Sequence, residues 1–170
     1  MIKLELFERE DFDRLIGWIP NEELLMQFAG PDFTYPLTTT QLEKYVDNPN
    51  AKIFKVVEID SNTVVGHAEL MVNNKNLVKL CRILVGSTAH RGKGLGQQII
   101  NALLEYSFTQ LEYTKAELNV FDWNTSAIKC YEKVGFVINP SATRVTHFKE
   151  NEWLAINMLI DKVDWQGNLR

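Results

Sequence analysis

Apolar and polar residues alternate over "IKLELF", residues 2–7, which predicts a strand at the start of the chain. Phe12, Leu15, Ile16 and Ile19 then recur at helical spacing until Pro20 ends the run. Leu24, Leu25 and Phe28 predict a second short helix, stopped by Gly30-Pro31. The stretch "PDFTYPLTTTQLEKYVDNP" reads as a loop, then a helix capped near Thr38 or Thr39 and stopped at Asn48-Pro49. Three strands follow at about 52–59, 63–72 and 77–85, with turns at "SN" and "NNKN" between them. A helix over about 94–110 presents Leu95, Ile99, Ala102 or Leu103, and Tyr106 on one face. Residues 115–121 predict a strand, Asn124 to Val134 a helix ended by Gly135, and 153–160 a late strand. The central strands are joined by hairpins and the later ones alternate with helices. That order predicts a mixed α/β fold, a mostly antiparallel central sheet flanked by helices. No repeat, biased tract or Gly/Ser linker divides the chain, so residues 1–170 read as a single domain.

Composition narrows the function classes. Hydrophobic residues make up 45% and charged residues 24%, enough apolar material for a core. The formal charge of −4 and pI of about 5.4 argue against a broad nucleic-acid footprint and suit a small or cationic partner. Cys81 and Cys130 lie far apart, as do His67, His90 and His147, so neither a zinc site nor a disulfide framework is expected. This cysteine usage fits a reducing, cytoplasmic setting. The alternating N-terminus is unlike the unbroken apolar stretch of a signal peptide, and no apolar run is long enough to span a bilayer, so no membrane partner is expected.

Three of the 9 glycines, Gly92, Gly94 and Gly96, alternate within "RGKGLG" just ahead of the long helix. A helix N-terminus has unpaired N–H groups and a partial positive charge. Glycines there let an anion reach those groups with no Cβ in the way. Arg91 and Lys93 add positive charge to the same turn, which makes it a phosphate cradle. The triphosphate loop G-x-x-x-x-G-K-[ST] does not fit: Gly86 lies one residue too far away, and Gly94 replaces the hydroxyl that holds Mg²⁺. Nor does the dinucleotide fingerprint G-x-G-x-x-G fit, because the spacing here is G-x-G-x-G.

The block "RILVGSTAHRGKGLGQQII" resembles the strand, R-G-x-G-x-G/A turn and helix of the GNAT superfamily of acetyl-CoA-dependent N-acetyltransferases. A second block, "LNVFDWNTSAIKCYEKVGFV", is similar to that family's N-x-x-A-x-x-x-Y-x-x-x-G-F segment. Together they cover roughly residues 80–138, and the N-terminal half matches only in its order of elements. The resemblance implies central strands that splay apart. It implies acetyl-CoA as cofactor, with the diphosphate held by Arg91, Gly92, Lys93, Gly94, Leu95 and Gly96. It further implies that the backbone of Ile83, Leu84 and Val85 pairs with the pantetheine amides, and that Asn124 contacts the same arm. Read from the residues alone, Asn124 is a helix N-cap.

Attack of an amine on a thioester expels a thiolate, which a nearby phenol can protonate. Tyr131 stands where the family's segment carries that phenol; its other reading is a core aromatic in an amphipathic helix. A base must take the amine's proton, and Glu69, which shares a strand face with His67 in "VVGHAELMV", is the candidate. The alternative for Glu69 is a cross-strand ion pair with Lys79. Glu117 and Asn119, facing out from the next strand, are further candidates. The aromatic, Pro/Gly-rich "FAGPDFTYPLT" suits either an acceptor-pocket wall or a packed connection. Trp18, Trp123 and Trp153 read as core. The expected activity is acetyl transfer from acetyl-CoA to a primary amine, on a small molecule or a protein N-terminus, by direct attack in a ternary complex. A non-catalytic acyl-CoA-binding regulator is the alternative class, and Tyr131 favours the enzyme. A homodimer is the assembly to test for.

Overall fold

A computed structural model describes residues 1–86 and 94–168. The chain runs β1 (Ile2–Leu6), α1 (Phe12–Gly17), α2 (Glu22–Ala29), α3 (Thr39–Val46), β2 (Ala51–Glu58), β3 (Thr63–Met71) and β4 (Leu77–Val85). It continues with α4 (Leu95–Glu105), a π-turn (Tyr106–Gln110), β5 (Lys115–Phe121), α5 (Thr125–Val134), β6 (Val137–Phe148), β7 (Asn151–Asp161) and α6 (Lys162–Asn168). The seven strands form one sheet in the order β1-β2-β3-β4-β5-β7-β6. Every pairing is antiparallel except that of β4 with β5.

Side-chain caps set several helix starts. Asn21 Oδ1 accepts from Leu24 N at 2.8 Å ahead of α2, and Thr38, not Thr39, caps α3 by accepting from Gln41 N at 3.4 Å. Helices cover one sheet face broadly and the other only on the β1 to β4 side. On one side Leu95, Ile99, Ile100, Leu103 and Leu104 of α4, Val134 of α5 and Trp165 of α6 bury Val56, Ala68, Leu70, Val78, Leu80, Leu118 and Met158. On the other, Phe12, Leu15, Leu25, Phe28, Leu42 and Tyr45 from the three N-terminal helices pack with Phe7, Ile53 and Leu84. These two layers hold the sheet from both faces, so its strands can part in one place without exposing the core.

That parting lies between β4 and β5. They pair in parallel over Leu77↔Lys115, Val78↔Ala116, Lys79↔Glu117 and Leu80↔Leu118, and no further. Beyond Leu80, β4 stays with β3 while β5 stays with β7. The register between β3 and β4 shifts between His67 and Glu69, where β4 carries one residue more than β3. Arg82 sits at this bulge with φ of 47°, a left-handed conformation that costs a non-glycine residue about 1 kcal/mol or more.

β6 runs for 12 residues and opens on the apolar pair Val137-Ile138. It is an edge strand exposed over most of its length, and Pro140 lies within the register shift between Asn139 and Arg144. An edge bulge is where a strand tolerates proline. Because neither face of β6 is fully buried, its alternation is weak.

Candidate active site

The bulge and the parting of β4 from β5 create an opening in the middle of the sheet. Gly86 N donates to Val65 O at 2.9 Å, so by alternation along the strand Ile83 and Val85 turn their peptide groups toward the opening. Leu84, by the same alternation, turns its own toward β3, and its side chain is buried among the N-terminal helices. Pairing with β5 stops at Leu80, so β5 does not engage the main chain of Ile83 or Val85.

At the end of that edge α4 begins. Gly94 is its N-cap at φ of 77°, with no capping side chain, and a Cβ there would meet nothing within 4 Å. The first intrahelical bond runs from Gln98 N to Gly94 O at 3.1 Å, so the N–H groups of Leu95 and Gly96 have no acceptor within the helix. A diphosphate fits this end of the helix, and the strand edge leading to it fits an amide arm. Gly96 lies against Cys130 Sγ, 3.6 Å from where a Cβ would stand, which brings α4 and α5 close. Arg91, Gly92 and Lys93 lie outside the described residues.

Tyr131 lines the opening together with Leu80–Leu84, Leu118–Phe121 and Asn124, and with Leu24, Gln27 and Phe28 of α2. It is held on α5, whose start is fixed by Asn124 Oδ1 accepting from Ala127 N at 3.3 Å and whose end is fixed by Gly135 at φ of 115°. The N-cap reading of Asn124 therefore holds, and the same residue faces the opening. Burial raises the Tyr131 hydroxyl above the usual phenol range, so it stays protonated at neutral pH. The same ring packs on Phe136, 6.1 Å between centroids, so it belongs to the helix–sheet interface and to the opening at once.

Glu69 is fully buried, and its ion pair has a different partner from the one expected. Its Oε2 accepts from Arg82 Nη1 at 2.5 Å, whereas Lys79 Nζ lies 2.9 Å from the side-chain amide of Asn119, whose oxygen faces it once the amide is oriented to satisfy its partners. The bulge explains the exchange: Glu69 faces Cys81 in register, and left-handed Arg82 folds its side chain back over that position. A base must reach the amine and gain from taking its proton. Glu69 is 0% exposed and its Oε2 is held by the Arg82 guanidinium.

Arg82 was the residue not singled out, although a lone arginine in the apolar run "LCRILV" was a visible anomaly. Its Nη2 also donates to Asp32 Oδ2 at 2.6 Å, and its guanidinium lies 5.3 Å from the Phe33 ring centroid and 5.1 Å from that of Tyr45. Burial, the largest single effect, lowers its pKa, but Glu69, Tyr45 and Asp32 together outweigh burial and raise it. Arg82 thereby ties the turn after α2 to β4, beside the opening. His67 shares the strand face with Glu69 and is bonded to Tyr45, Oη to Nε2, at 3.1 Å. Burial, reinforced by the Arg82 charge, lowers the His67 pKa to about 3, so it is neutral. Burial and then the Glu69 charge hold the Tyr45 hydroxyl well above its usual range.

Neither cysteine is a nucleophile here. The Cys81 thiol is pushed up to about 12, chiefly by burial and then by Glu69, and burial also raises Cys130. Of the tryptophans, Trp18 covers Gly86, where a Cβ would stand 2.2 Å from its ring. Trp123 and Trp153 pack edge-to-face 5.0 Å apart beside Phe121, but Trp123 stays 42% exposed and is not core. Glu117 has its Oε2 engaged by Asn157 Nδ2 at 2.9 Å. Among the described residues no group of three or more His, Cys, Asp or Glu is arranged for a metal, and no helix is long and apolar enough to cross a membrane.

Comparison with known proteins gives this site a family. The model of the acetyltransferase (GNAT) family matches residues 20–136. Spermidine N(1)-acetyltransferase of Vibrio cholerae is 31% identical over 139 residues, which is 80% of this chain and 79% of that protein. Aminoglycoside N(6')-acetyltransferase type 1 of Klebsiella pneumoniae is 25% identical over 148 residues, 79% of this chain and 73% of that protein. A crystal structure of spermidine N-acetyltransferase from Vibrio cholerae in complex with CoA and spermine shares the fold, with a TM-score of 0.81 at 24% identity over 97% of this chain and 98% of that one. The parted strands, the open helix N-terminus and the matching segment agree: the chain belongs to the GNAT family and is an N-acetyltransferase that uses acetyl-CoA to acetylate an amine.

Proposed function

We propose that the chain acetylates a primary amine of a small molecule by direct attack, with amine and acetyl-CoA bound together. The observation that carries this reading is the Tyr131 phenol set in the opening where β4 leaves β5. Acetyl-CoA supplies a thioester whose carbonyl is open to an amine and whose sulfur departs as a thiolate. The main chain of Ile83 and Val85, with Leu84 between them, holds the amide arm, and Asn124 borders it. The α4 start at Gly94, Leu95 and Gly96, with Arg91, Gly92 and Lys93 ahead of it, holds the diphosphate. Tyr131 keeps a proton on Oη and delivers it to the departing sulfur. The two inert thiols support direct attack over an acyl-cysteine route.

Asp32 is the one carboxylate lining the opening and the cleft beside it among the described residues, and it is paired with Arg82. The amine's proton therefore leaves to water, and Glu69 acts as the anchor of Arg82. The named relatives, which act on spermidine and on aminoglycosides, support a small-molecule acceptor over a protein N-terminus. A homodimer is retained as the assembly, supported by the exposed Val137, Ile138 and Val145 on edge strand β6, and light scattering measures it. The test of the reaction is thiol release from acetyl-CoA with a panel of primary amines, paired with mass detection of the acetylated product. Amine-dependent release with one acetyl group gained per thiol is the expected result. Release that does not depend on any amine contradicts the reading.

A further inference from the structure

Beside the opening lies a second cleft of about 350 Å³ that shares Phe28, Leu80–Arg82 and Asn119–Phe121 with it. Its other wall comes from β6 and β7, through Arg144, Thr146 and Ala155. Among the described residues three cations line it, Lys79, Arg82 and Arg144, against the single carboxylate of Asp32. Arg82 is matched by Glu69 behind it and Asp32 at the rim. Lys79 and Arg144 have no carboxylate within ion-pair distance among the described residues, and Lys79 Nζ faces the side-chain amide of Asn119. Glu117, the register neighbour of Lys79 on β5, is outside the lining. This is the reverse of what the chain's net charge of −4 suggests, and the reverse of what a polycation needs.

We propose that the acceptor is a zwitterion, an amine that also carries a carboxylate or phosphate, and that Lys79 and Arg144 hold the anion while the amine faces Tyr131. The proposal rests on the acetyltransferase reading and adds the acceptor class. Two unmatched cations repel a second ammonium and reward an anion, and an arginine fork with a lysine point charge suits either oxyanion. Asn119 and Thr146 add neutral polar groups to the same wall.

The test uses the full chain with acetyl-CoA and matched acceptors. The pairs are β-alanine with β-alanine amide and phosphoethanolamine with ethanolamine, and spermidine is the polycation. The anionic member of at least one pair should show kcat/KM about tenfold or more above its neutral partner, as one charge-assisted hydrogen bond provides. Which pair shows the preference separates carboxylate from phosphate. In Arg144→Gln, an exposed edge-strand change, and in Lys79→Gln, that ratio should fall toward one. Equal or better use of the neutral amines or spermidine overturns the proposal while leaving the acetyltransferase reading intact. So does an anion preference that both variants retain. Turnover with no amine overturns both.

Discussion

Acidification should expose the cost of keeping His67 neutral. Its ring is 1% exposed and its pKa lies at about 3, against 6.5 for an unperturbed histidine. Because the folded value is the depressed one, the stability is present above the unfolded pKa. It is lost as pH falls from about 6.5 toward about 3, where only the unfolded chain takes the proton. Between pH 7 and pH 5 the loss from this one ring is about 2 kcal/mol. That is a large share of the roughly 5–15 kcal/mol that holds a domain folded. In a chain of this size it corresponds to a melting shift of about 4–8 °C. Asp11, whose pKa is lowered despite burial by hydrogen bonds from Glu8, Arg14 and Lys55, loses stability in the same direction but at lower pH. Its contribution is present above 3.8 and is lost below it, outside this range. The assay is urea unfolding of parent and His67→Gln at pH 7, 6 and 5. Glutamine leaves a polar atom for Tyr45 Oη but cannot titrate. The parent should lose about 2 kcal/mol more than the variant across the range. Parallel curves for the two proteins would refute the buried neutral ring.

Glu69→Gln leaves the Arg82 guanidinium, whose side chain is 10% exposed, with only the rim carboxylate of Asp32, and should cost about 3 kcal/mol by denaturation. The pH dependence of kcat/KM should keep its shape in that variant, since the amine's proton goes to water; loss of an acidic limb would return Glu69 to the base role. Gly66→Ala puts a Cβ 2.7 Å from Leu84 O and 3.3 Å from Ile99 Cδ1, so the β3–β4 seam must shift. A drop of about 1–3 kcal/mol in unfolding free energy is expected, together with weaker acetyl-CoA binding. Asn124→Ala removes the cap of α5 and should lower stability by about 1 kcal/mol, read from the melting temperature.

Periodicity and turn chemistry placed β1 to β5, helices α1 to α5 and the caps of α3 and α5, because those elements each bury one clean face; α6 and the Asn21 cap were not among them. The glycines of the turn and the Asn124–Gly135 segment carried the family, since their conformations are tied to backbone geometry. Arg82 escaped because its role depends on a bulge, and an extra residue in β4 leaves no mark in a pattern of apolar positions. The partner of Glu69 was misread for the same reason: register alone puts Cys81 opposite it, and only the left-handed turn at Arg82 brings the guanidinium across. The cationic cleft was hidden by the sum of charges, which says nothing about which side chains converge. Arg144 reaches it from a strand whose two exposed faces gave little alternation.

The most direct test of the account is Tyr131→Phe, followed by acetyl-CoA affinity, stability and turnover with an acceptor for which chemistry limits the rate. The ring and its contact with Phe136 survive, while the proton on Oη is lost. The account predicts nearly unchanged affinity and melting, with turnover lower by roughly 10²-fold. Parent-rate turnover would contradict it and leave Tyr131 as an aromatic of the α5 interface, with water supplying the proton.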